Sequence, residues 1–236
     1  MKHLNTYITE YIIKQKLDKP IDSEDHYEYF PKTKKELIEN IKELLSTGET
    51  NLNCIDTSAI TDMFNLFDDI KIRKNFDVSR WDVSNVKDMS SMFNGCKYFN
   101  CNLSNWDVSN VENMEQMFYR CENFEGKGLE NWDISNVKRM DMIFSYCINF
   151  DGKSIENWDV SSLQSTRNMF YYCIKFNGDL SNWDVSNVKR MISMFVDCKS
   201  FKGKGLENWD VSNVEYMQFM FDGCTSLKNK PTWYKE

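Results

Sequence analysis

Six aspartates and six cysteines are the side chains of this chain best equipped to hold a metal or attack a bond. The aspartates are Asp82, Asp107, Asp133, Asp159, Asp184 and Asp210, and the cysteines are Cys96, Cys121, Cys147, Cys173, Cys198 and Cys224. Carboxylates are calcium ligands, and thiols bind zinc or close disulfides. Both sets recur in steps of 25, 26, 26, 25 and 26 residues, so each member holds an equivalent place in a repeat. An active site brings unlike groups together, whereas a row of like carboxylates repels. Each aspartate therefore reads as a turn residue that accepts backbone N–H bonds. Calcium between units is the alternative, although the Gly-Gly-x-Gly-x-Asp pattern of calcium-binding repeats is absent. Each cysteine reads as a small apolar side chain. Disulfides between neighbouring units and a zinc cluster are the competing readings. Close Cys-x-x-Cys pairs are missing, and Cys96 with Cys101 is the only near pair.

Other catalytic equipment is sparse. His3 and His26 are the two histidines, and both precede the repeats. No P-loop, Gly-x-Ser-x-Gly, His-Glu-x-x-His or dinucleotide fingerprint occurs. The loops Glu125-Gly126-Lys127-Gly128, Asp151-Gly152-Lys153-Ser154 and Lys202-Gly203-Lys204-Gly205 lack the P-loop spacing. The chain is expected to be no enzyme and to need no cofactor and no metal. A net charge of -7 argues against nucleic acid as a partner, because phosphate contacts need a basic surface. No run approaches the ~20 apolar residues of a membrane span. The stretch Met1 to Ile13 is interrupted by Glu10 and has no small-residue cleavage site, so it does not read as a secretory signal. A cytoplasmic location is expected, with surface or virion display open by another route.

The elements that position these residues follow from a recurring phrase, Trp-Asp-Val-Ser-Asn-Val. It begins at Trp81, Trp106, Trp132, Trp158, Trp183 and Trp209. So tight a period predicts a solenoid. Trp81, Val83 and Val86 read as short extended pieces with a turn at Ser84-Asn85. Met89, Met92, Phe93 and Cys96 fall at i, i+3, i+4 and i+7, one face of a short helix. The unit from Trp158 departs from the pattern, with Ser162, Leu163 and Thr166 in place of Asn, Val and Met. Ile55 to Phe67 reads as a degenerate first unit, and Trp233 as a truncated last one. Thr33 and Glu36 have capping-box spacing and open a helix to about Thr47, with Leu37, Ile38, Ile41, Leu44 and Leu45 on its apolar side. Ahead of it Leu4, Tyr7, Ile8, Tyr11 and Ile12 form a second apolar stripe, followed by an acidic connector. The expected organisation is an N-terminal segment and connector over 1–31, a capping helix over 32–50 and a repeat solenoid over 51–236.

The phrases Asn-Trp-Asp-Val-Ser-Asn-Val and Met-x-x-Met-Phe, with the Cys that follows, resemble the ~26-residue repeats of bacterial surface proteins. These are grouped with the BspA-like leucine-rich-repeat proteins and are also abundant in mycoplasmas. The resemblance spans about Asn51 to Trp233. It implies an α/β repeat, a right-handed leucine-rich-repeat-like solenoid with short strands and short helices and an N-terminal helical cap. It also implies roles in adhesion or protein interaction, and no catalytic residues.

With the recurring positions committed to a core, specificity must sit in the variable ones. The pairs before the first Met and before the Cys supply Tyr119, Arg120, Arg139, Tyr146, Tyr171, Tyr172 and Arg190. Tyr and Arg are enriched at protein hot spots, although the same residues also suit ordinary exposed helix positions. The expectation is a non-enzymatic module that binds another protein, of unassigned identity, through the variable face of the solenoid. The second reading is a structural or adhesive component of a cell surface or virus particle, docked through its N-terminal segment. Oligomeric state is not legible in the sequence.

Overall fold

A computed structural model describes residues 27–235. The apolar stripe from Leu4 to Ile12, both histidines and most of the acidic connector lie outside that range.

Each unit is assembled from tight turns. In the phrase that starts at Trp81, the Val86 N–H donates to the Val83 carbonyl at 2.9 Å. The Asp82 carboxylate accepts the Ser84 N–H at 3.0 Å and its hydroxyl at 2.7 Å. The Met-Phe-Cys segment is a run of overlapping turns. Met92, Asn94 and Cys96 donate to the carbonyls of Met89, Ser91 and Phe93, three residues back in each case. The alternate N–H groups, on Met89, Ser91, Phe93 and Gly95, point along the stacking direction. They donate to Asn113, Glu115, Met117 and Tyr119 of the next unit at 2.8–2.9 Å. Ser91 (φ 55°) and Gly95 (φ 74°) are left-handed, which turns every second N–H away from its own segment.

This overturns the expected α/β solenoid of leucine-rich-repeat type. Among the described residues there is one α-helix, two three-residue 3-10 turns and only isolated parallel bridges in place of strands. The i, i+3, i+4, i+7 pattern of Met89, Met92, Phe93 and Cys96 builds no helix, because left-handed residues interrupt it and half its N–H groups are spent on the neighbouring unit. The Trp-Asp-Val piece builds no strand. Its turns recur every few residues and leave no run long enough for a ladder.

Ring stacking holds the turn-built units in a column. Phe93, Phe118, Phe144, Phe170, Phe195 and Phe221 lie face to face, with successive centroids 5.6, 5.8, 5.9, 5.6 and 5.7 Å apart. Phe99, Phe124, Phe150, Phe176 and Phe201 form a parallel row, and Trp106, Trp132 and Trp158 stack at 6.2 and 6.3 Å. Polar handles tie each unit to the one before it. The Trp132 indole N–H donates to the Leu103 carbonyl, the Cys147 thiol to the Phe118 carbonyl, and the Asn136 amide to the Ser109 carbonyl. Large aromatic surfaces buried in this way supply most of the stabilisation, and every tie crosses between units, so no unit holds its shape alone. Along one edge, parallel bridges join Asp62, Asp88, Asn113 and Arg139 in sequence, then Ser165, Arg190 and Tyr216. The bridging lapses between Arg139 and Ser165, at the irregular unit.

Helix α1, Lys34–Ser46, follows the bridge between Tyr29 and Ile55. The Thr33 hydroxyl accepts the Glu36 N–H, and the Glu36 carboxylate accepts the Thr33 N–H, which satisfies two of the free donors at the helix start. Leu37, Ile41 and Leu44 bury their shared face in the common core. Thr47 caps the end, and left-handed Gly48 turns the chain away. Among the described residues no helix is long and apolar enough to cross a membrane.

Candidate contact ridge

The turn that ends each unit's Met-Phe-Cys segment closes on a left-handed residue immediately before the buried cysteine. Gly95 and Gly223 fill this place in the first and last regular units, where the conformation is free of a Cβ clash. In the four inner units it holds Arg120 (φ 61°), Tyr146 (φ 63°), Tyr172 (φ 63°) and Asp197 (φ 57°). An L-residue with a side chain costs about 1–2 kcal/mol in this region. The surroundings enforce it. The N–H groups of Arg120, Tyr146 and Tyr172 donate to the carbonyls of Ser145, Tyr171 and Val196 at 2.9, 2.7 and 2.7 Å.

The side chains that result form one ridge. Tyr119 meets Tyr146 edge to face at 5.8 Å, and Tyr146 stacks on Tyr172 at 5.2 Å and leans on Tyr171 at 5.4 Å. The Arg120 guanidinium lies 5.2 Å from the Tyr119 ring and 5.5 Å from the Tyr146 ring, within cation–π range of both. All four rings are half-buried, with Arg120 exposed beside them. Withdrawal from water, and then the neighbouring Tyr171 and Tyr119 hydroxyls, raise the Tyr146 phenol above its ordinary value.

Five of the seven residues singled out by sequence thus come together, and two do not. Arg139 and Arg190 lie on the bridged edge. Arg139 pairs with Glu115 and bridges to Asn113, while Arg190 bridges to Ser165 and Tyr216. No ring contact or hydrogen bond joins either to the tyrosines. A binding function tied to the variable face of a solenoid is therefore overturned along with the α/β fold it presumed. The variable pairs ride on turns and divide between two edges. Docking through the N-terminal segment, 1–31, concerns residues that lie mostly outside 27–235. What the sequence reading missed is the strained backbone under the ridge. Its only trace in the sequence is glycine at the equivalent Gly95 and Gly223.

The aspartate and cysteine rows serve the turns. Hydrogen bonds from Ser109, Ser135 and Ser186, hydroxyl first and then backbone N–H, hold Asp107, Asp133 and Asp184 below the usual carboxylate range. For Asp210 the Ser212 N–H leads. Burial pushes the Cys96 and Cys224 thiols up to about 12, and Cys121, Cys147, Cys173 and Cys198 are raised as well. The glycine loops pair their own lysines with carboxylates, Lys127 with Glu125, Lys153 with Asp151 and Lys204 with Asp179. Among the described residues no group of His, Cys, Asp and Glu side chains is arranged to hold a metal ion.

The geometry defines a class of repeat protein in which stacked tight turns stand where other repeat proteins place strands and helices. The chain matches the family described as "Mycoplasma protein of unknown function, DUF285" over residues 35–150 and again over 123–234, and it belongs to that family. No curated protein and no solved structure matches it. The attribution to BspA-like leucine-rich-repeat proteins is corrected accordingly. The matching family is the mycoplasma one, and the strand content that a leucine-rich repeat requires is missing from the described residues. The adhesive role drawn from that attribution loses its basis.

Proposed function

We propose that the chain works by contact with another protein, without catalysis, and that the contact is the ridge of Tyr119, Arg120, Tyr146, Tyr171 and Tyr172. The left-handed backbone at Arg120, Tyr146 and Tyr172 supports this most strongly. Gly95 and Gly223 show that the turn itself needs no side chain at this place, so the guanidinium and the rings at Arg120, Tyr146 and Tyr172 are not required to form it. Tyrosine and arginine are the residues that most often anchor protein interfaces. The rings already pack against one another, and their backbone is pinned on both sides. Little side-chain freedom is lost on binding, which favours affinity. Nucleic acid is a poor candidate for a chain of net charge -7.

The test places a photo-crosslinking amino acid at Tyr171, with Tyr98, an exposed ring that makes no contact with the ridge rings, as control, and identifies the captured protein from source cells. The purified partner is then titrated with the Tyr146→Ala/Tyr171→Ala double variant. Affinity should fall by at least ~2 kcal/mol, about 30-fold, with an unchanged circular dichroism spectrum. Equal capture from Tyr98, or unchanged affinity, would refute the assignment.

A further inference from the structure

The lapse in the bridged edge falls in the middle of the column, where two backbone bonds that recur elsewhere are missing. Along the rest of the edge the N–H groups of Glu112, Lys138, Lys189 and Glu215 donate to the carbonyls of Lys87, Glu112, Gln164 and Lys189, each at 2.9 Å. The N–H groups of Met89, Met114, Thr166 and Met191 donate to the carbonyls of Asn113, Arg139, Arg190 and Tyr216 at 2.7–2.9 Å. The equivalent pairs at the lapse would be the Gln164 N–H with the Lys138 carbonyl and the Met140 N–H with the Ser165 carbonyl. Among the described residues none of these four groups has a backbone partner.

Two departures in the same irregular unit open a groove beside the lapse and set its charge. The side-chain amides of Asn136 and Asn187 donate to the Ser109 and Ser161 carbonyls at 2.8 and 2.9 Å. Between them stands the shorter Ser162, which donates to the Ser135 carbonyl at 2.7 Å, and the surface dips into a groove of about 660 Å³. On the edge itself the charge alternates from unit to unit, as Lys87, Glu112 and Lys138 and again as Lys189 and Glu215. Gln164 stands where the alternation calls for an acid. Lys138 pairs with Glu112 at 2.7 Å, and Lys189 has no ion-pair partner among the described residues. Lys138 and Lys189 both line the groove, in the units on either side of Gln164, and no carboxylate and no apolar side chain lines it.

A groove without apolar lining does not suit an apolar ligand. Two cations flanking a neutral amide suit an anionic group, which accepts charge-assisted hydrogen bonds from them. The rest of the lining suits hydroxyls. The Ser135 and Ser161 hydroxyls spend their protons on Asp133 and Asp159, at 2.7 and 2.6 Å, and keep lone pairs that accept. The amides of Asn136, Gln164 and Asn187 carry both donors and acceptors, as sugar hydroxyls do. We propose that this groove, distinct from the tyrosine ridge and sharing no residue with it, is a binding site for an acidic saccharide. The anionic group sits between Lys138 and Lys189 and accepts from the Gln164 amide, and the ring hydroxyls bond Asn136, Ser162 and Asn187.

The probes are a tetrasaccharide of uronic acid units, a sulfated tetrasaccharide and a neutral one, each titrated into the full chain while its backbone amide signals are followed by NMR. At least one acidic probe should shift the amides of Ser162, Gln164 and Lys189, and should bind at least tenfold more tightly than the neutral probe and than inorganic sulfate. Which acidic probe binds more tightly tells a carboxylate from a sulfate as the preferred anion. Gln164→Glu supplies the acid that Glu112 and Glu215 carry at equivalent places, so the variant should fold. It should bind at least tenfold more weakly, because like charges then meet in the groove. Ser162→Asn refills the dip and should weaken binding to a similar extent. The proposal is overturned if neither acidic probe moves these amides, or if the neutral probe or inorganic sulfate binds equally well. It is also overturned if Gln164→Glu, with an unchanged circular dichroism spectrum, binds undiminished. A phosphoserine peptide that shifts these amides when no saccharide does would overturn it as well and give the groove to a protein.

Discussion

Tyr146 occupies the same left-handed position, φ 63°, that Gly95 occupies two units earlier at 74°. One residue is there because the turn demands the conformation, and the other is there in spite of it. The stability of the column and the use of its surface meet at this position.

Glycine substitutions separate backbone strain from crowding. A Cβ added at Gly95 would meet nothing within 4 Å, whereas one at Gly128 would fall 2.2 Å from the Ser104 nitrogen and 2.7 Å from the Leu103 carbonyl carbon. Gly95→Ala should cost about 1–2 kcal/mol, the left-handed penalty alone. Gly128→Ala should cost clearly more, because the backbone of the neighbouring unit must move. Urea unfolding of the two variants checks the order, and equal losses would contradict it.

Cutting the ring column should act beyond its own unit. Trp132 stacks on both Trp106 and Trp158 and donates to the Leu103 carbonyl. Trp132→Ala should cost roughly 3–5 kcal/mol. Hydrogen exchange should quicken in the units on either side, since each is held by its neighbours. A loss confined to residues 132–157 would argue against mutual support.

Native alkylation should sort the cysteines by position. Cys54 is half-buried and outside the column, while Cys121, Cys147, Cys173 and Cys198 are fully buried with raised thiol values. The thiolate is the reactive form, so Cys54 should label first and these four only on unfolding. Mass spectrometry after a timed iodoacetamide pulse reads the order.

Acid should weaken the fold over a defined window. Asp107, Asp133, Asp184 and Asp210 are held below the usual carboxylate range, and Asp179 is brought to about 2, by Lys204 first and then Ser181. A carboxylate lowered in the folded state adds stability that is whole above the unfolded value of ~3.9. That stability is lost as pH falls through the folded value. The denaturation midpoint should stay level from about pH 7 to 5 and decline between about pH 4 and 2. A midpoint unchanged down to pH 2 would contradict the role given to these aspartates.

The period, the start of α1 and the gathering of five ridge residues were legible because each rests on local or strictly recurring signals. Thr33 and Glu36 satisfy each other within one helical turn, and a tyrosine before a cysteine lands in the same place in every unit. The secondary structure was not legible. Met89, Met92, Phe93 and Cys96 show helical spacing, but a stack of turns also sets these side chains on one side, and apolar periodicity records facing without handedness. Nothing in the side chains of Ser91 or Gln116 announces a positive φ. The partnering of alternate N–H groups between units, which enforces it, lies 24 or 25 residues away. Arg139 and Arg190 were misplaced for the same reason. On a helix they would neighbour the tyrosines, and on successive turns they fall on another edge.

The most direct test replaces the left-handed side chains together, in the variant Arg120→Gly/Tyr146→Gly/Tyr172→Gly, and reads unfolding free energy and partner affinity on the same protein. If the side chains are held under strain for contact, glycine relieves the backbone while the ridge disappears. Stability should then stay within about 1 kcal/mol of the parent or rise, and affinity should drop at least 30-fold. A variant that loses more than about 2 kcal/mol of stability yet binds its partner undiminished would show that the residues serve the fold and that the contact lies elsewhere.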